Sequence, residues 1–413
     1  MRIVHVAPYY HPSVGGGETH LKAISEGLVQ RGHHVTVLTQ RHTSFSQRID
    51  RRLRKSEIIN GVHVRRLTPH FLVSNLIHTT MKLPGGYRLL RALLGTRRLA
   101  NFPDSFLSGA LVAAVRARPD LVVVQNWALS GLVWQFALLR LVRRVKLVGM
   151  PLFHTELRWS HSPLLAEMVN RYDAMIALTE HERAFIRSQS GSDRPVYVVG
   201  AGVDPSAFAE RHGARIRARY GLQGLPVVGY IGRIQWEKGV PQLLAAMDIL
   251  WQSNDRIRLL LAGRMDHESA QLLAGLSGDA RSRIVVIGAF QEDEKPSLFD
   301  AIDVFVMPSL AESFGIVYLE AWLCRRPVIG ARTGAVACLI NEGVDGLLAD
   351  PADPSSLAAA IGSLMTDEER RRRLADAGYQ KTLTCFTSDR IADQIENVYR
   401  SVVEGHAHIS GGP

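Results

Sequence analysis

The stretch Glu312-Ser313-Phe314-Gly315-Ile316-Val317-Tyr318-Leu319-Glu320 decides how this chain is read. Ahead of it the apolar run Val304-Phe305-Val306-Met307, bounded by Asp303 and Pro308, has the length and composition of a buried strand. After it the apolar spacing turns helical through Leu323, and Arg325-Arg326-Pro327 supplies a cationic end and a stop. The pattern predicts a strand-loop-helix unit, with Glu312 in the loop and Glu320 about a turn and a half inside a helix that opens near Gly315. Free amides in that first turn, with Gly315 permitting close approach, form a seat for a phosphate. A carboxylate on either side would repel the phosphate itself. Both glutamates therefore suit hydroxyl groups, one on a sugar and one on a ribose. The plainer account of the pair is a capping glutamate and a solvated helix glutamate.

A second stretch upstream weakens the plainer account. Tyr230-Ile231-Gly232-Arg233-Ile234-Gln235-Trp236-Glu237-Lys238-Gly239 follows the apolar Val227-Val228-Gly229 and leads into helical spacing at Val240, Leu243, Leu244 and Met247. Arg233 falls in the loop and Lys238 at the helix start, where cations reach an anion. Two strand-loop-helix units thus aim at one phosphate-sized target.

The pattern Gly-Arg-x4-Lys-Gly at 232–239 followed by Glu-x7-Glu at 312–320 resembles the retaining GT-B glycosyltransferases of family 4, the glycosyl transferases of group 1. The resemblance implies an α/β fold of GT-B type, two Rossmann-like doubly wound domains facing across a cleft. It implies a nucleotide diphosphate sugar donor, UDP first and GDP next. It also assigns roles: Arg233 and Lys238 on the departing diphosphate, amides of Ser313, Phe314, Gly315 and Ile316 beside it, Glu320 on ribose, Glu312 on the sugar, and Ala289 and Phe290 offering backbone to the base.

The amino terminus extends the match. Arg2 to Ala7 reads as a strand, Pro8 to Pro12 as a loop, and Gly15-Gly16-Gly17-Glu18-Thr19-His20 opens an amphipathic helix carrying Leu21, Ile24 and Leu28. A tight turn explains these glycines as well as a phosphate loop does, since neither a dinucleotide fingerprint nor a Walker lysine accompanies them. In the family Gly15 and Gly16 lie over the donor diphosphate. The strand Lys146 to Met150 ends at Pro151-Leu152-Phe153-His154, which puts His154 at a carboxyl strand end, where open sheets bind ligands. The resemblance gives it the transferred sugar. Tyr9, Tyr10, Ser13 and Glu18 fall on the acceptor side.

A chain of 413 residues, 46% of them hydrophobic, can bury two ordinary cores. The expected division is an acceptor-side domain over 1–203 completed by a helix at 388–404, a nucleotide-sugar domain over 204–387, and a flexible tail at 405–413. The short Gly- and Pro-containing segment 200–208 serves as the linker. A helix is expected from about Ser105, and another near 130–142. The three cysteines, Cys324, Cys338 and Cys385, are odd in number, lack metal-ligand spacing and read as buried reduced thiols.

Net charge is +10, and residues 41–103 hold thirteen Lys and Arg against Asp50 and Glu57. Tyr87, Leu89, Leu90, Leu93 and Leu94 among Arg88, Arg91, Arg97 and Arg98 fit a basic amphipathic helix on an anionic bilayer. A surface helix packing its apolar stripe inward fits equally. No nucleic-acid module accompanies the charge. No run of about 18 uncharged apolar residues occurs. The expected setting is cytoplasmic, with peripheral contact at the inner face of the membrane if the basic segment touches lipid.

No cofactor or metal is expected: an Asp-x-Asp pair is absent where a diphosphate-bound metal would sit, and the two cations can serve instead. The expected acceptor is a lipid-linked or phosphorylated hydroxyl compound in polysaccharide or glycolipid assembly. A small natural product such as an aminocyclitol or aglycone is the alternative. Further rivals are a sugar-nucleotide hydrolase or epimerase, which would turn over donor without acceptor, and a catalytically silent membrane scaffold.

Overall fold

The computed structural model describes residues 1–41, 50, 52–70, 106–126, 130–139, 145–157, 160–161 and 165–405. It divides into two compact units, Met1–Ala201 with Ser388–Pro413, and Gly202–Thr387. Val203 pairs with Thr387 and its N–H donates to the carbonyl of Phe386, so the second unit begins at Gly202, two residues ahead of the expected boundary.

The first unit is built on short apolar runs that have no polar face. β1 (Arg2–Val6), β2 (His34–Gln40), β7 (Leu121–Gln125), β8 (Lys146–Met150) and β9 (Ala174–Ala177) are buried nearly throughout. Strands apolar on both faces need helices above and below, which is the parallel α/β condition. The eight-stranded sheet runs β10-β9-β8-β7-β1-β2-β4-β3, with β3 at Ser56–Ile59, β4 at Val62–Leu67 and β10 at Val196–Val198. Val4 lies opposite both Thr36 of β2 and Val122 of β7. β3 is antiparallel to β4 and closes the edge, an element not anticipated from sequence.

β5 (Pro69–His70) pairs with β6 (Phe106–Leu107), so the helix expected from Ser105 starts only at Ala110, after Gly109 in a left-handed conformation. Its core joins Val4, Val124, Phe136, Leu147, Met175 and Ile186. The helix Ser388–Glu404 packs on the helix Gly16–Gln30: Arg31 reaches Asp393 at 2.8 Å, and the His5 ring bonds the Tyr399 hydroxyl at 3.1 Å. The basic helix at 87–98 and the tail at 406–413 lie outside the described residues, as does most of the proposed membrane-contacting segment.

The second unit has six parallel strands, β11 (Val227–Ile231), β12 (Arg258–Ala262), β13 (Ile284–Ile287), β14 (Val304–Met307), β15 (Val328–Ala331) and β16 (Leu347–Ala349). Their order is β13-β12-β11-β14-β15-β16. Counted from β11 this is 3-2-1-4-5-6, the doubly wound dinucleotide-binding order, and it reverses between β11 and β14. Phe299, Phe305 and Tyr318 stack edge to face along its core at 5.4 and 5.8 Å. Of the cysteines only Cys324 is buried; Cys338 is exposed and Cys385 half-exposed, because each stands near the end of a surface helix. Among the described residues no helix is long and apolar enough to cross a membrane.

Candidate functional site

The reversal of strand order between β11 and β14 leaves a crevice beyond their carboxyl ends, the usual ligand position in such sheets. The loops that follow those two strands carry the two decisive stretches. After β11 the chain turns at Gly232, passes the exposed Arg233 and enters a single 3-10 turn, Trp236–Lys238, before the helix Val240–Ser253. Gly239 joins the two at φ 79°, and a Cβ there would sit 2.0 Å from the carbonyl oxygen of Pro308. Only glycine allows the first loop to lie so close on the second.

After β14 the Leu310 N–H donates to the Glu237 carbonyl, locking the two loops together. Gly315, at φ 95°, caps the helix Ile316–Leu323, and a Cβ on it would strike the Tyr318 ring at 2.6 Å. The Tyr318 hydroxyl donates to the Met307 carbonyl at 2.6 Å, which ties the helix back to its strand.

This packing brings Lys238 and Glu312 together. The Lys238 ammonium lies 2.6 Å from a Glu312 carboxylate oxygen and donates to the Ala311 carbonyl at 3.1 Å. Their side chains are only 11% and 13% exposed, so the charges meet with little water between them. Glu312 is felt nearby: Tyr230 and Tyr318 are both pushed above the ordinary phenol range, by burial first and then by its charge. The Tyr230 hydroxyl donates to the Arg233 carbonyl and so fixes the loop bearing that cation.

Glu320 is buried in the second turn of its helix and bonds the Lys295 ammonium at 2.9 Å. Lys295 also meets Glu292 at 2.8 Å. Burial alone would lower the Lys295 pKa, yet the two carboxylates together hold it above the usual ammonium range. Lys295 carries no motif signal in the sequence, where Glu292-Asp293-Glu294 ahead of it reads as the start of the helix leading to Phe299. Ala289 is exposed and Phe290 half-buried, both beyond the end of β13. Ser313 and Ile316 are half-buried, and Phe314 is buried against Phe386.

In the first unit the strand order reverses between β1 and β7, and the glycine loop follows β1. Gly15 precedes the helix Gly16–Gln30 in extended backbone, and the Glu18 carboxylate lies over it: a Cβ on Gly15 would meet Glu18 Oε2 at 2.3 Å. Gln125, at the end of β7, donates to the Gly17 carbonyl at 2.7 Å and bridges the reversal, a role that no motif announces. Tyr9 is 7% exposed, its hydroxyl pushed up to about 12 by burial and then by Glu18. Tyr10, at 2%, belongs to the core, and the Ser13 hydroxyl is buried as well. Glu18 and the half-buried His154 keep open surface. His154 follows β8 on a segment whose neighbouring Phe153 N–H is held at 2.7 Å by the buried carboxylate of Glu182.

Two Rossmann-like units, each with polar groups gathered where its strand order reverses, define the GT-B class of nucleotide-sugar enzymes. The chain belongs to its group 1 and family 4 glycosyltransferases. The model described as Glycosyltransferase Family 4 matches residues 14–207 and that described as Glycosyl transferases group 1 matches residues 214–381. A D-inositol 3-phosphate glycosyltransferase of Salinispora tropica is 28% identical over 98% of this chain and 85% of its own length. An alpha-D-kanosaminyltransferase of Streptomyces kanamyceticus is 32% identical over 48% of this chain and 51% of its own. In fold the chain is similar to sucrose-phosphate synthase from Thermosynechococcus elongatus, with a TM-score of 0.75 at 21% identity over 98% and 99% of the two chains. It is also similar to Anabaena HepE in complex with UDP and glucose, with a TM-score of 0.72 at 19% identity over 97% and 99%.

Proposed function

We propose that this glycosyltransferase moves a hexosyl group from a nucleotide diphosphate sugar, UDP first and GDP next, to an acceptor hydroxyl with retention of anomeric configuration. One observation carries the reading. The loops after β11 and β14 bring a nearly buried cation, Lys238, against Glu312 beside the amides that open a helix at Gly315.

In this reading the charge that develops on the leaving diphosphate is met by Lys238, Arg233 and those amides, which are fixed before the reaction and so lose little to reorganisation. Glu312 holds Lys238 in place and accepts a hydroxyl of the transferred sugar. Glu320 accepts the ribose hydroxyls with the carboxylate edge that Lys295 leaves open, and Ala289 and Phe290 meet the base. Gly15 and Gly16 serve the diphosphate and His154 the transferred sugar, as the family resemblance implies. The acceptor proton passes to the departing phosphate on the same face, which gives retention. No carboxylate nucleophile of the double-displacement kind is assigned. Transfer is proposed to proceed without a metal, its work done by the two cations. Loss of activity in EDTA with recovery in magnesium would overturn that point.

The acceptor reading has two branches. The basic balance of residues 41–103 favours a phosphorylated or lipid-linked acceptor in polysaccharide or glycolipid assembly. The name of the D-inositol 3-phosphate relative favours a small cyclitol-like acceptor instead. Calorimetric titration with UDP, GDP and ADP, repeated on Lys238→Ala, tests the donor site. Micromolar binding of one nucleotide, weakened at least about tenfold in the variant (some 1.4 kcal/mol), is expected. No binding of any of the three would sink the reading.

A further inference from the structure

We propose that Glu182 is a positioning residue for His154, tying the turn after β8 to the end of β9 through one backbone hydrogen bond to each. This rests on the reading of His154 as the group that meets the transferred sugar.

The chain around His154 has little regular structure of its own. β8 ends at Met150, Leu152 takes a left-handed conformation at φ 56°, and no strand or helix of the described chain includes residues 151–157. Such a segment needs outside partners to hold one geometry. Its partners come from the first turns of the helix Glu180–Ser190. One Glu182 carboxylate oxygen accepts the Phe153 N–H at 2.7 Å. The other accepts the Leu178 N–H, at the end of β9, also at 2.7 Å. A single side chain thereby clamps the ends of two adjacent strands.

The neighbours of His154 are fixed from the same helix and from the returning chain. The Phe153 ring meets Phe185 edge-on at 5.6 Å. The Thr155 hydroxyl bonds the His181 ring at 2.8 Å, and the Ser160 hydroxyl donates to the His154 carbonyl at 2.8 Å.

The sequence alone points to a humbler role. Thr179-x-x-Glu182 is a capping box, in which the glutamate returns to the cap amide and seals the helix. The Thr179 side chain does cap, accepting the Glu182 N–H at 3.1 Å. The carboxylate, however, goes elsewhere, to the two strand ends. Glu182 is 1% exposed, and a carboxylate buried among neutral donors is costly. Burial pushes it up to about 7 despite the two amides that favour its charge. Packing alone is met at lower cost by an apolar side chain. Only a carboxylate offers an acceptor at both ends of this span; an amide presents its NH2 to one of the two N–H groups.

The test is a double-mutant cycle with Glu182→Gln and His154→Ala. Turnover is read as nucleoside diphosphate release from the donor sugar that the wild-type protein uses, and calorimetry gives the affinity for the bare nucleotide. Glu182→Gln is expected to lower kcat by about 10- to 100-fold, the scale of a misplaced contact. Its nucleotide affinity should change less than about twofold, a split that general unfolding would not give. In the His154→Ala background the same change is expected to cost almost nothing more.

If the two losses multiply, or if Glu182→Gln keeps full kcat while His154→Ala loses it, the inference falls and the reading of His154 stands. If His154→Ala keeps full kcat, both fall together. Should Glu182→Gln fail to fold, Glu182→Asp carries the same cycle: it keeps both acceptors and shortens their reach by one methylene, so coupled loss with His154→Ala is again expected.

Discussion

Two buried ion pairs stand at the candidate donor site, and at the residue scale they behave unlike surface pairs. Lys295 and Glu320 are 16% and 9% exposed in their side chains. Removing one partner leaves a charge in a place that water barely reaches. Lys295→Met is therefore expected to lower the stability of the second unit by about 3 kcal/mol, and the double change Lys295→Met with Glu320→Leu to restore most of it. Urea unfolding followed by hydrogen exchange in β11 and β14 measures both. Equal midpoints for the wild type and the single variant would show that Glu320 finds another partner. The same pair shows what the sequence could not display. Glu312, Glu320, Arg233 and Lys238 stand out because each punctuates a strand-loop-helix unit. Lys295 does not, since its partner lies 25 residues along the chain and its own neighbours are acidic. Glu182 is hidden differently, behind a capping pattern that it only half fulfils.

At the scale of elements, the helix Ser388–Glu404 is the one that returns the chain to the first unit. It buries Ile391, Ala392, Ile395, Val398, Tyr399 and Val402, and its Tyr399 is a hydrogen-bond partner of His5 in β1. Burying that set is worth on the order of 10 kcal/mol, comparable with the whole stability of a domain. A chain ending at Thr387 is expected to lose hydrogen-exchange protection in β1 and in the helix Gly16–Gln30, while β11 and β14 keep theirs. Unchanged protection in β1 would overturn this. The helix was legible because its apolar positions recur on one face. The parallel strands were legible because they are continuous apolar runs bounded by Gly, Pro or charge, and β8 and β14 fall on the expected residues. β3 was not: Ser56-Glu57-Ile58-Ile59 is a half-buried edge strand beside a charge run, and its pairing with β4 comes from the hairpin at Asn60-Gly61. The late start of the helix at Ala110 has a similar cause, because no capping side chain marks it.

For the whole molecule, the two units differ in what acid does to them. The first unit buries His5 and His20, whose pKa values are pressed down to about 3 and about 4, in each case by burial first. Unfolded, both would titrate near 6.5, so the unfolded chain takes up protons that the folded unit refuses. Their stability is present above pH 6.5 and is lost as pH falls towards 4 and 3, by about 1.4 kcal/mol for each pKa unit. Glu182 works the other way. With its pKa raised to about 7 from 4.5, it favours the fold at low pH and gives that up as pH rises from 4.5 to 7. Between pH 6.5 and 4.5 it offsets part of the histidine loss; below 4.5 it is protonated in both states and offsets nothing further. All three groups lie in the first unit. Acid is therefore expected to unfold that unit first, with the steepest loss between about pH 4.5 and 4, where both histidines act without the Glu182 offset, while hydrogen exchange in β11, β12 and β14 stays slow. His20→Leu sharpens the test. Neither ring nitrogen of His20 has a hydrogen-bond partner among the described residues, so leucine removes a proton acceptor without breaking a bond. The variant should match or exceed the wild type at pH 7 and lose less stability on acidification. An unchanged acid slope, or loss of the second unit before the first, would show that the buried histidines do not govern acid unfolding.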